Sequence, residues 1–461
     1  MAVTTLSLHE LGAWRAERHR ADPLQLLAQQ EHSRLAWLIP ERHRRMASSA
    51  FAFYRGSPVV MAVDLGSAPH SGLEVQLCGD AHLFNFGFYG SPERALLFDI
   101  NDFDETVRGP FEWDLKRLVG SLVVAARALN LSQTWQEKAA RHGARAYRRE
   151  MARLADRSRS DVWYCRIDVD ALIAGLPEQP FRDHLLQVAA QARHRDSRQA
   201  VRKLCDTGAD GRLRIRHAPP QIWRHDQMEA ELGIDEPLQL RVQHAYAEYL
   251  ESVRPEVRRF LSGYRLVDTA SKAVGVGSVG TRCSIGLLVG PREDDLLVVQ
   301  SKQAEASVLA PYATGPSAPH QGQRVVEGQR LMQTVSDPLL GWTRNAHHEH
   351  LYWRHFCDWK GSVQLDQLNA KGLDLYGQLC AATLAKAHAR SGDRGALSAF
   401  MADGKRFDAA LAGFAMAYAD QSEHDYHRFL ATRVEAAAPR PQDDPVGATA
   451  FSSTPARTGS A

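Results

Sequence analysis

Residues 79–85 form the first of two short acidic segments with side chains suited to chemistry. An aspartate, a histidine and an asparagine follow one another there as Asp80, His82 and Asn85. A carboxylate can accept or orient a hydroxyl proton, an imidazole can orient that carboxylate, and an amide oxygen can bind a divalent cation. The pattern therefore predicts a catalytic loop, with Asx-turns in an ordinary loop as the alternative.

Residues 101–105 form the second acidic segment and hold Asp102, Asp104 and Glu105. Three carboxylates this close together in a dry pocket cannot all be ionised without a cation, because repulsion and desolvation both disfavour the charged form. We therefore expect a metal ion here, with Asp102 and Asp104 among its ligands. A solvated acidic turn is the alternative.

Gly275, Gly277 and Gly280 form a G-x-G-x-x-G pattern whose meaning depends on the element after the last glycine. In a dinucleotide-binding fold that element would be a helix. Residues 281–289 read instead as a strand, which places the glycines in a hairpin turn. This favours the type of glycine loop that covers nucleotide phosphates with backbone amides. An ordinary glycine-rich hairpin is the alternative.

Lysine is scarce in this chain, which contains only nine lysines among its 56 basic residues. One of them, Lys302, ends an apolar strand after the glycine hairpin, where a buried ammonium is costly unless it is paired. We expect its partner on the following helix and choose Glu327. Glu305 is the competing partner, but it lies only three residues further along the chain.

The elements around these residues follow from the hydrophobic spacing. A half-buried strand over residues 73–78 leads into the first acidic segment, and a short strand over residues 95–98 leads into the second. Sequence with helical spacing begins at residue 113 and continues, rich in arginine, to about residue 260. A Gly/Asp-rich break is expected within it near residues 206–211. A small antiparallel sheet is predicted between residues 264 and 303. Further elements are a helix over residues 323–335, a strand over 351–357, and helices over 373–390 and 397–432.

Five units divide the chain on this interpretation. They are an N-terminal helical segment (1–50), the acidic loops with a helical lobe (51–260), a β-rich nucleotide lobe (261–362), helices that complete the helical lobe (363–435), and a disordered tail (436–461). The tail is rich in Pro, Ala, Ser and Thr and has no periodicity.

The composition excludes several classes of protein. With 44% hydrophobic and 24% charged residues in 461, the chain is neither disordered throughout nor collagen-like. The six cysteines include no C-x-x-C pair, which argues against a zinc site and suits a reducing compartment. A net charge of +2 does not call for nucleic acid or an anionic membrane. No apolar N-terminal leader and no spanning run is present, so we expect a cytoplasmic protein without a membrane partner.

Two families resemble this sequence. The segment 79–85, together with Asp102-Phe103-Asp104, Gly109-Pro110 and Asp114-Leu115, resembles the catalytic and metal-binding segments of aminoglycoside and choline kinase-like phosphotransferases. The chain from about residue 41 to residue 432 also resembles the uncharacterised bacterial domain-of-unknown-function 2252 family. The stretches that carry this second match are residues 51–56, 76–85, 98–105, 275–282 and 323–332.

The kinase resemblance implies an α+β, two-lobed protein kinase-like fold with a small antiparallel β lobe and a large, mainly helical lobe. Asp80 would be the base, and Asn85 and Asp102 would bind Mg²⁺. Lys302, paired to Glu327, would hold the α/β-phosphates of the nucleotide under the three glycines. In a conventional kinase the glycine loop and lysine precede the catalytic loop, whereas here they come about 190 residues after it. The resemblance therefore implies a circularly permuted fold.

The predicted function is that of an ATP- and Mg²⁺-dependent phosphotransferase acting on an unknown small-molecule or protein acceptor. One alternative is a nucleotide-binding pseudokinase that acts as a regulatory scaffold. Another is a metal-dependent phosphoesterase, because an Asp-x-His pattern after a strand also begins such metal sites. Its best remaining candidate ligands are His347, His348 and His350.

Overall fold

The architecture is taken from a computed structural model. It describes residues 6–17, 19–232, 237–273, 275, 277, 279–292, 294–345, 347–356 and 358–437. Within those residues no helix combines the length and apolar composition needed to cross a bilayer.

Helices make up most of the described chain. In order they are α1 (Leu8–Gly12), α2 (Pro23–Glu31), α3 (Ile39–Met46), α4 (Ala50–Gly56), α5 (Pro58–Gly66), α6 (Phe111–Ala128), α7 (Gln133–Ala155), α8 (Arg159–Tyr164), α9 (Val169–Ala174), α10 (Gln179–Arg193), α11 (Ser197–Leu204), α12 (His225–Leu232), α13 (Leu238–Ser252), α14 (Pro255–Leu261), α15 (Gln321–Met332), α16 (Ala370–Ala389), α17 (Arg394–Phe400) and α18 (Gly404–Ala437).

The strands are short. They are β1 (Glu74–Leu77), β2 (Phe86–Gly90), β3 (Leu96–Ile100), β4 (Val107–Pro110), β5 (Cys205–Thr207), β6 (Leu213–Ile215), β7 (Ile222–Arg224), β8 (Arg265–Lys272), β9 (Cys283–Val289), β10 (Leu296–Gln303), β11 (Gly341–Arg344) and β12 (His350–His355). Six of them form one antiparallel sheet in the order β11-β12-β10-β9-β8-β7. The others pair as β1 with β4, β2 with β3, and β5 with β6.

The sheet has two different faces because successive side chains on a strand point to opposite sides. On β10, Leu297 and Val299 belong to an apolar cluster that includes Tyr249 of α13 and Leu261 of α14. The alternate residues Gln300 and Lys302 are polar, yet they are also buried. This polar face therefore needs hydrogen-bonding and charged partners.

The helical body is organised around α6, which packs against α7, α16 and α18. Nearly all of its residues are buried, including Leu118 and Leu122. Gly377 of α16 lies against Leu122, and a Cβ on Gly377 would lie 2.7 Å from the Leu122 side chain. The close contact requires glycine here and fixes α16 against the helix that follows the second acidic segment.

Most of the predicted elements are present, and the mixed α+β class with a small antiparallel sheet is confirmed. Ser7 and Glu10 form a capping box at the start of α1. Six strands of three to five residues were not predicted: β2, β4, β5, β6, β7 and β11. Each is too short to show an alternation of apolar and polar residues. The predicted tail begins two residues too early, because α18 continues to Ala437; residues 438–461 lie outside the described residues.

Candidate functional site

The loop that carries Asp80 is fixed at its start by Gly79 and Asp114. Gly79 has a φ of +85°, and a Cβ there would lie 2.0 Å from the Glu105 carbonyl oxygen, so only glycine fits. The Asp114 carboxylate, in the first turn of α6, accepts hydrogen bonds from Cys78 N at 2.7 Å and Gly79 N at 3.0 Å. The first helix after the acidic segments therefore holds the end of β1 in place.

Asp80 is oriented by an arginine that the sequence analysis missed. Arg117 Nε donates to Asp80 Oδ1 at 2.8 Å, while Arg117 Nη2 donates to the Tyr54 carbonyl at 2.7 Å. The Asp80 carboxylate keeps 15% of its side-chain surface exposed, whereas Arg117 is buried. A substrate hydroxyl can reach this carboxylate from outside while the guanidinium holds it from within.

His82 does not orient Asp80 as predicted. Its Nε2 lies 3.7 Å from Asp80 Oδ2, which is beyond hydrogen-bonding distance. Its Nδ1 accepts from Phe84 N at 3.1 Å and so caps the short 3₁₀ turn next to it. Burial, together with Arg55 and Arg117, lowers the pKa of His82 well below its usual range. The imidazole is therefore neutral, and its observed contact shapes the loop.

Asn85 connects the two acidic segments. Its Nδ2 donates to the Asp80 backbone carbonyl at 2.5 Å, and the Asn85 backbone carbonyl accepts from Asn101 N at 2.7 Å. With the amide nitrogen used in this way, Oδ1 is the atom of Asn85 suited to a cation. The loops bearing Asp80 and Asp102 are thus joined through their backbones, as a shared site requires.

Lys302 meets the second acidic segment across the gap between the sheet and the helical body. Its Nζ lies 2.5 Å from Asp104 Oδ2 and 3.9 Å from Asp102 Oδ1. Burial alone would lower the pKa of Lys302, but the Asp102 and Asp104 carboxylates raise it well above its usual value. Tyr352 Oη donates to Asp104 Oδ1 at 2.5 Å and covers the pair from the neighbouring strand.

The pKa of Asp104 shifts in the opposite direction to that of Lys302. Burial favours its neutral form, yet the charge of Lys302 outweighs burial and lowers the pKa of Asp104 to about 2. Both of its carboxylate oxygens are engaged, one by Lys302 and one by Tyr352. Asp104, predicted as a metal ligand, is here the ion-pair partner of the lysine.

The prediction that Glu327 pairs with Lys302 is wrong. Glu327 is exposed on α15 and accepts from Gln323 Nε2 at 2.7 Å, because the neighbouring Val325 and Val326 take the buried face of the helix. Arg324 from the same helix contacts the acidic segment instead. Its Nη2 donates to the carbonyls of Asp104 at 2.8 Å and Glu305 at 2.9 Å.

Asp102 has the features that a cation site needs. Its Oδ1 is buried and has no hydrogen-bond partner among the described residues; the Lys302 ammonium is 3.9 Å away. Nowhere in the described part of the chain do three His, Cys, Asp or Glu side chains form a metal-binding group. Mg²⁺ commonly takes one or two carboxylates and completes its coordination with waters and substrate phosphates. Asp102 with Asn85 fits an ion held in that way.

His350, one of the three histidines considered for a phosphoesterase, makes other contacts. His350 Nδ1 accepts from Gln321 N at 3.1 Å, and its ring stacks on His320 with centroids 4.3 Å apart. Burial lowers the pKa of His350, and burial with the charges of His350 and Arg344 lowers that of His320 to about 4. These contacts place His350 at the start of α15.

The three glycines of the predicted loop lie between β8 and β9. Gly275, Gly277 and Gly280 are described, whereas residues 274, 276 and 278 between them lie outside the described residues. Gly280 has a φ of +95°, which favours glycine. The turn is held by the N-terminal segment, because Arg34 Nη1, between α2 and α3, donates to the Val279 carbonyl at 2.5 Å and Arg42 Nη1 of α3 donates to the Gly277 carbonyl at 3.3 Å.

A cleft of about 690 Å³ opens beside these residues. Its walls include Lys272 at the end of β8 and Gly275 from the glycine turn. Gln300 and Arg354 from the polar face of the sheet, and Asn101, which precedes Asp102, also line it. Arg354 Nε donates to Gln300 Oε1 at 2.9 Å, so the inner wall is polar. Cavities of this size accommodate small-molecule ligands and cofactors.

Sequence reasoning found the acidic side chains, the glycines and Lys302, but it missed the cations Arg117, Arg324 and Arg354 and the phenol of Tyr352. No signal in the sequence separates these three arginines from the many others in the chain. Tyr352 could have been found only from the register of β12 against β10, which places it opposite Lys302.

Comparison with known proteins agrees with the segments that suggested a family. No curated protein and no solved structure matches the chain. A family model described as "Uncharacterized protein conserved in bacteria" matches residues 34–432, a span that contains the acidic loops, the glycine turn and Lys302. By that match over most of its length, the chain belongs to the bacterial family DUF2252.

Proposed function

We propose that this protein is an ATP- and Mg²⁺-dependent phosphotransferase with a two-lobed, circularly permuted protein kinase-like fold. One observation carries the proposal: Lys302 is buried against Asp102 and Asp104, 200 and 198 positions earlier in the chain. This contact brings the lysine after the glycine turn next to the candidate metal and base loops. Positioning and neutralising charge are what phosphoryl transfer asks of a protein.

The order of elements around Lys302 supports the proposal. The glycine turn joins β8 to β9, Lys302 lies on β10, which is the third strand when counted from β8, and α15 follows it. In protein kinases the glycine loop covers the phosphates and the phosphate-binding lysine lies on the third strand. The acidic loops precede this sheet in the chain, which is why the proposed fold is permuted.

Each residue has a role on this proposal. Asp80, held by Arg117, accepts or orients the proton of the acceptor hydroxyl. Asn85 and Asp102 would hold Mg²⁺, which when bound neutralises phosphate charge. Lys302 would exchange its contact with Asp104 for nucleotide phosphates. The backbone of the glycine turn would cover those phosphates.

The test compares two variants with the wild-type chain. We expect Asp80→Asn to lower turnover of Mg·ATP roughly 10²–10⁴-fold, the usual range for a lost general base, while nucleotide affinity stays within about twofold. Asp102→Asn should weaken ATP binding in Mg²⁺ but not in EDTA. Asp170→Asn is the matched control, because Asp170 is exposed and pairs with Arg193 of α10. Absence of nucleotide binding to the wild-type chain would refute the proposal.

A regulatory protein that binds nucleotide without transfer is the second candidate. The ion pair between Arg117 and Asp80 favours it, since the guanidinium already occupies Asp80 Oδ1, one of the two oxygens that could accept a substrate proton. Mg·ATP binding with no turnover, unaffected by Asp80→Asn, would establish this alternative.

A further inference from the structure

Arg55, at the end of α4, is a cation that no counter-ion contacts among the described residues. Among the described residues its guanidinium makes no hydrogen bond or ion pair, and its Nε is shielded from solvent. Its contact is with an aromatic ring, since the guanidinium carbon lies 5.0 Å from the centroid of Phe84 in the Asp80 loop. Burial lowers the pKa of Arg55, which is the expected effect of removing water from an unpaired charge.

The position of Arg55 relates it to the candidate site. After burial, the carboxylates of Asp80 and Asp102 have the largest effect on the pKa of Arg55. The backbone carbonyl oxygen of Arg55 lies 3.7 Å from the position that a Cβ on Gly277 would occupy. Arg55 therefore lies against both the glycine turn, through its backbone, and the Asp80 loop, through its guanidinium.

A groove of about 370 Å³ leads to Arg55 from the surface. Arg44, Arg45 and Ser48 line it, along with Phe84, and none of the described lining residues is acidic. Arg44 and Arg45 share one carboxylate, that of Glu41, with hydrogen bonds of 2.7 Å each. Three arginines and no acidic residue are therefore found among the described lining residues, and Arg55 has no ion-pair partner among the described residues.

We propose that Arg55 binds a phosphate-type oxyanion at the inner end of this groove, beside Asp80. The inference rests on the proposed function and adds a second anion subsite to the one at Lys302. A guanidinium matches the two oxygens of a phosphate in one plane, and such paired hydrogen bonds are among the strongest in proteins. The oxyanion can come from two sources: the terminal phosphate of the nucleotide, or an anionic group on an acceptor that enters through the groove.

The primary experiment is a calorimetric titration of the full chain with inorganic phosphate. We expect Arg55→Gln to raise the dissociation constant about tenfold or more, as the loss of a charge-assisted pair predicts. Arg108→Gln should leave it unchanged, because Arg108 is exposed and pairs with Glu74 on the neighbouring strand. Equal phosphate affinity in the Arg55→Gln variant and the wild-type chain would overturn the proposal.

Arg55→Lys covers the case in which Arg55→Gln does not fold, since it keeps the positive charge. It removes the planar pair of donors, so the dissociation constant should rise about threefold or more. An unchanged value in a folded Arg55→Lys variant would also overturn the proposal.

A repeat in saturating Mg²⁺ and a nonhydrolysable ATP analogue identifies the source of the oxyanion. Phosphate that still binds in an Arg55-dependent way assigns the subsite to an anionic acceptor. Phosphate displaced by the analogue assigns it to the terminal phosphate of the nucleotide. If the analogue does not bind at all, the proposed function fails, while Arg55-dependent phosphate binding would still establish the anion subsite.

Discussion

Two buried lysines pair with aspartates from the same short stretch of chain, but their surroundings differ. Lys386 of α16 contacts Asp99 on β3, and the two side chains are only 1% and 3% exposed. Lys302 contacts Asp104 and Asp102, whose side chains are 28% and 38% exposed. We call Lys386–Asp99 the sealed pair and Lys302 with Asp102 and Asp104 the open pair. Their aspartates lie only a few residues apart in the sequence.

The difference assigns the two pairs to different tasks. The sealed pair is closed to ligands and links β3 to the long helix α16; Thr334 Oγ1, 3.5 Å from Lys386 Nζ, completes its contacts. Asn101, next to Asp102 in the sequence, lines the 690 Å³ cleft. Asp102 Oδ1 in the open pair has no hydrogen-bond partner among the described residues. A buried ammonium with exposed, partly unused counter-ions is suited to exchanging partners, whereas one with fully enclosed counter-ions is suited to holding a fold.

Breaking the sealed pair should have the largest effect on stability. Lys386→Met leaves Asp99 buried without a counter-ion, so we expect the free energy of unfolding to fall by about 3–5 kcal/mol. Urea denaturation of the variant measures this loss. Lys371→Met is the matched control, since Lys371 is exposed on the same helix. The double variant Lys386→Met/Asp99→Asn should recover part of the loss; a loss below about 1 kcal/mol in the single variant would contradict a structural role.

Breaking the open pair should cost less stability and more function. We expect Lys302→Met to lower the free energy of unfolding by about 1–2 kcal/mol, because both carboxylates reach water and Tyr352 still donates to Asp104. If the proposed function holds, Mg·ATP affinity should fall about tenfold or more. Titration calorimetry and urea denaturation separate the two effects. Glu327→Gln should change neither, and an equal loss of affinity in that variant would restore Glu327 as the lysine partner.

The third effect depends on pH and concerns Glu105, the carboxylate next to the open pair. Burial is the main cause that raises the pKa of Glu105 to about 7, from an unfolded value of about 4.5. Between these values the folded chain retains a proton that the unfolded chain has lost, so stability falls as pH rises from about 4.5 to about 7. Glu105→Gln should flatten that part of the curve. Urea denaturation across this pH range measures the slope, and equal slopes in both proteins would refute the assignment.

Local pattern predicted the secondary structure well where a segment was long or strongly periodic. Helices α6 and α16 and strands β1, β9 and β10 occur close to their expected positions. The break expected near residues 206–211 is the turn between β5 and β6, two strands of three residues each. Such strands carry too few residues to show an alternation and form because a partner strand is available.

The candidate site divides in the same way. The residue types at Asp80, Asn85, Asp102 and Lys302 were sufficient to select them. Their partners were not predictable, since Arg117 reaches Asp80 over 37 positions and Asp104 reaches Lys302 over 198. Glu327 was chosen because it is close in sequence on the next helix, but the rotation of α15 directs its side chain to solvent.

The sequence by itself determined the chemistry available to this protein: carboxylates at the ends of two strands, a glycine turn, and a scarce lysine on an apolar strand. Only the tertiary structure decided which carboxylate neutralises that lysine, which arginine holds Asp80, and that Arg55 has no ion-pair partner among the described residues. The physical reason is one of range. Backbone periodicity and turn chemistry act over a few residues, whereas charge compensation depends on distances in space that are set by the packing of the whole chain.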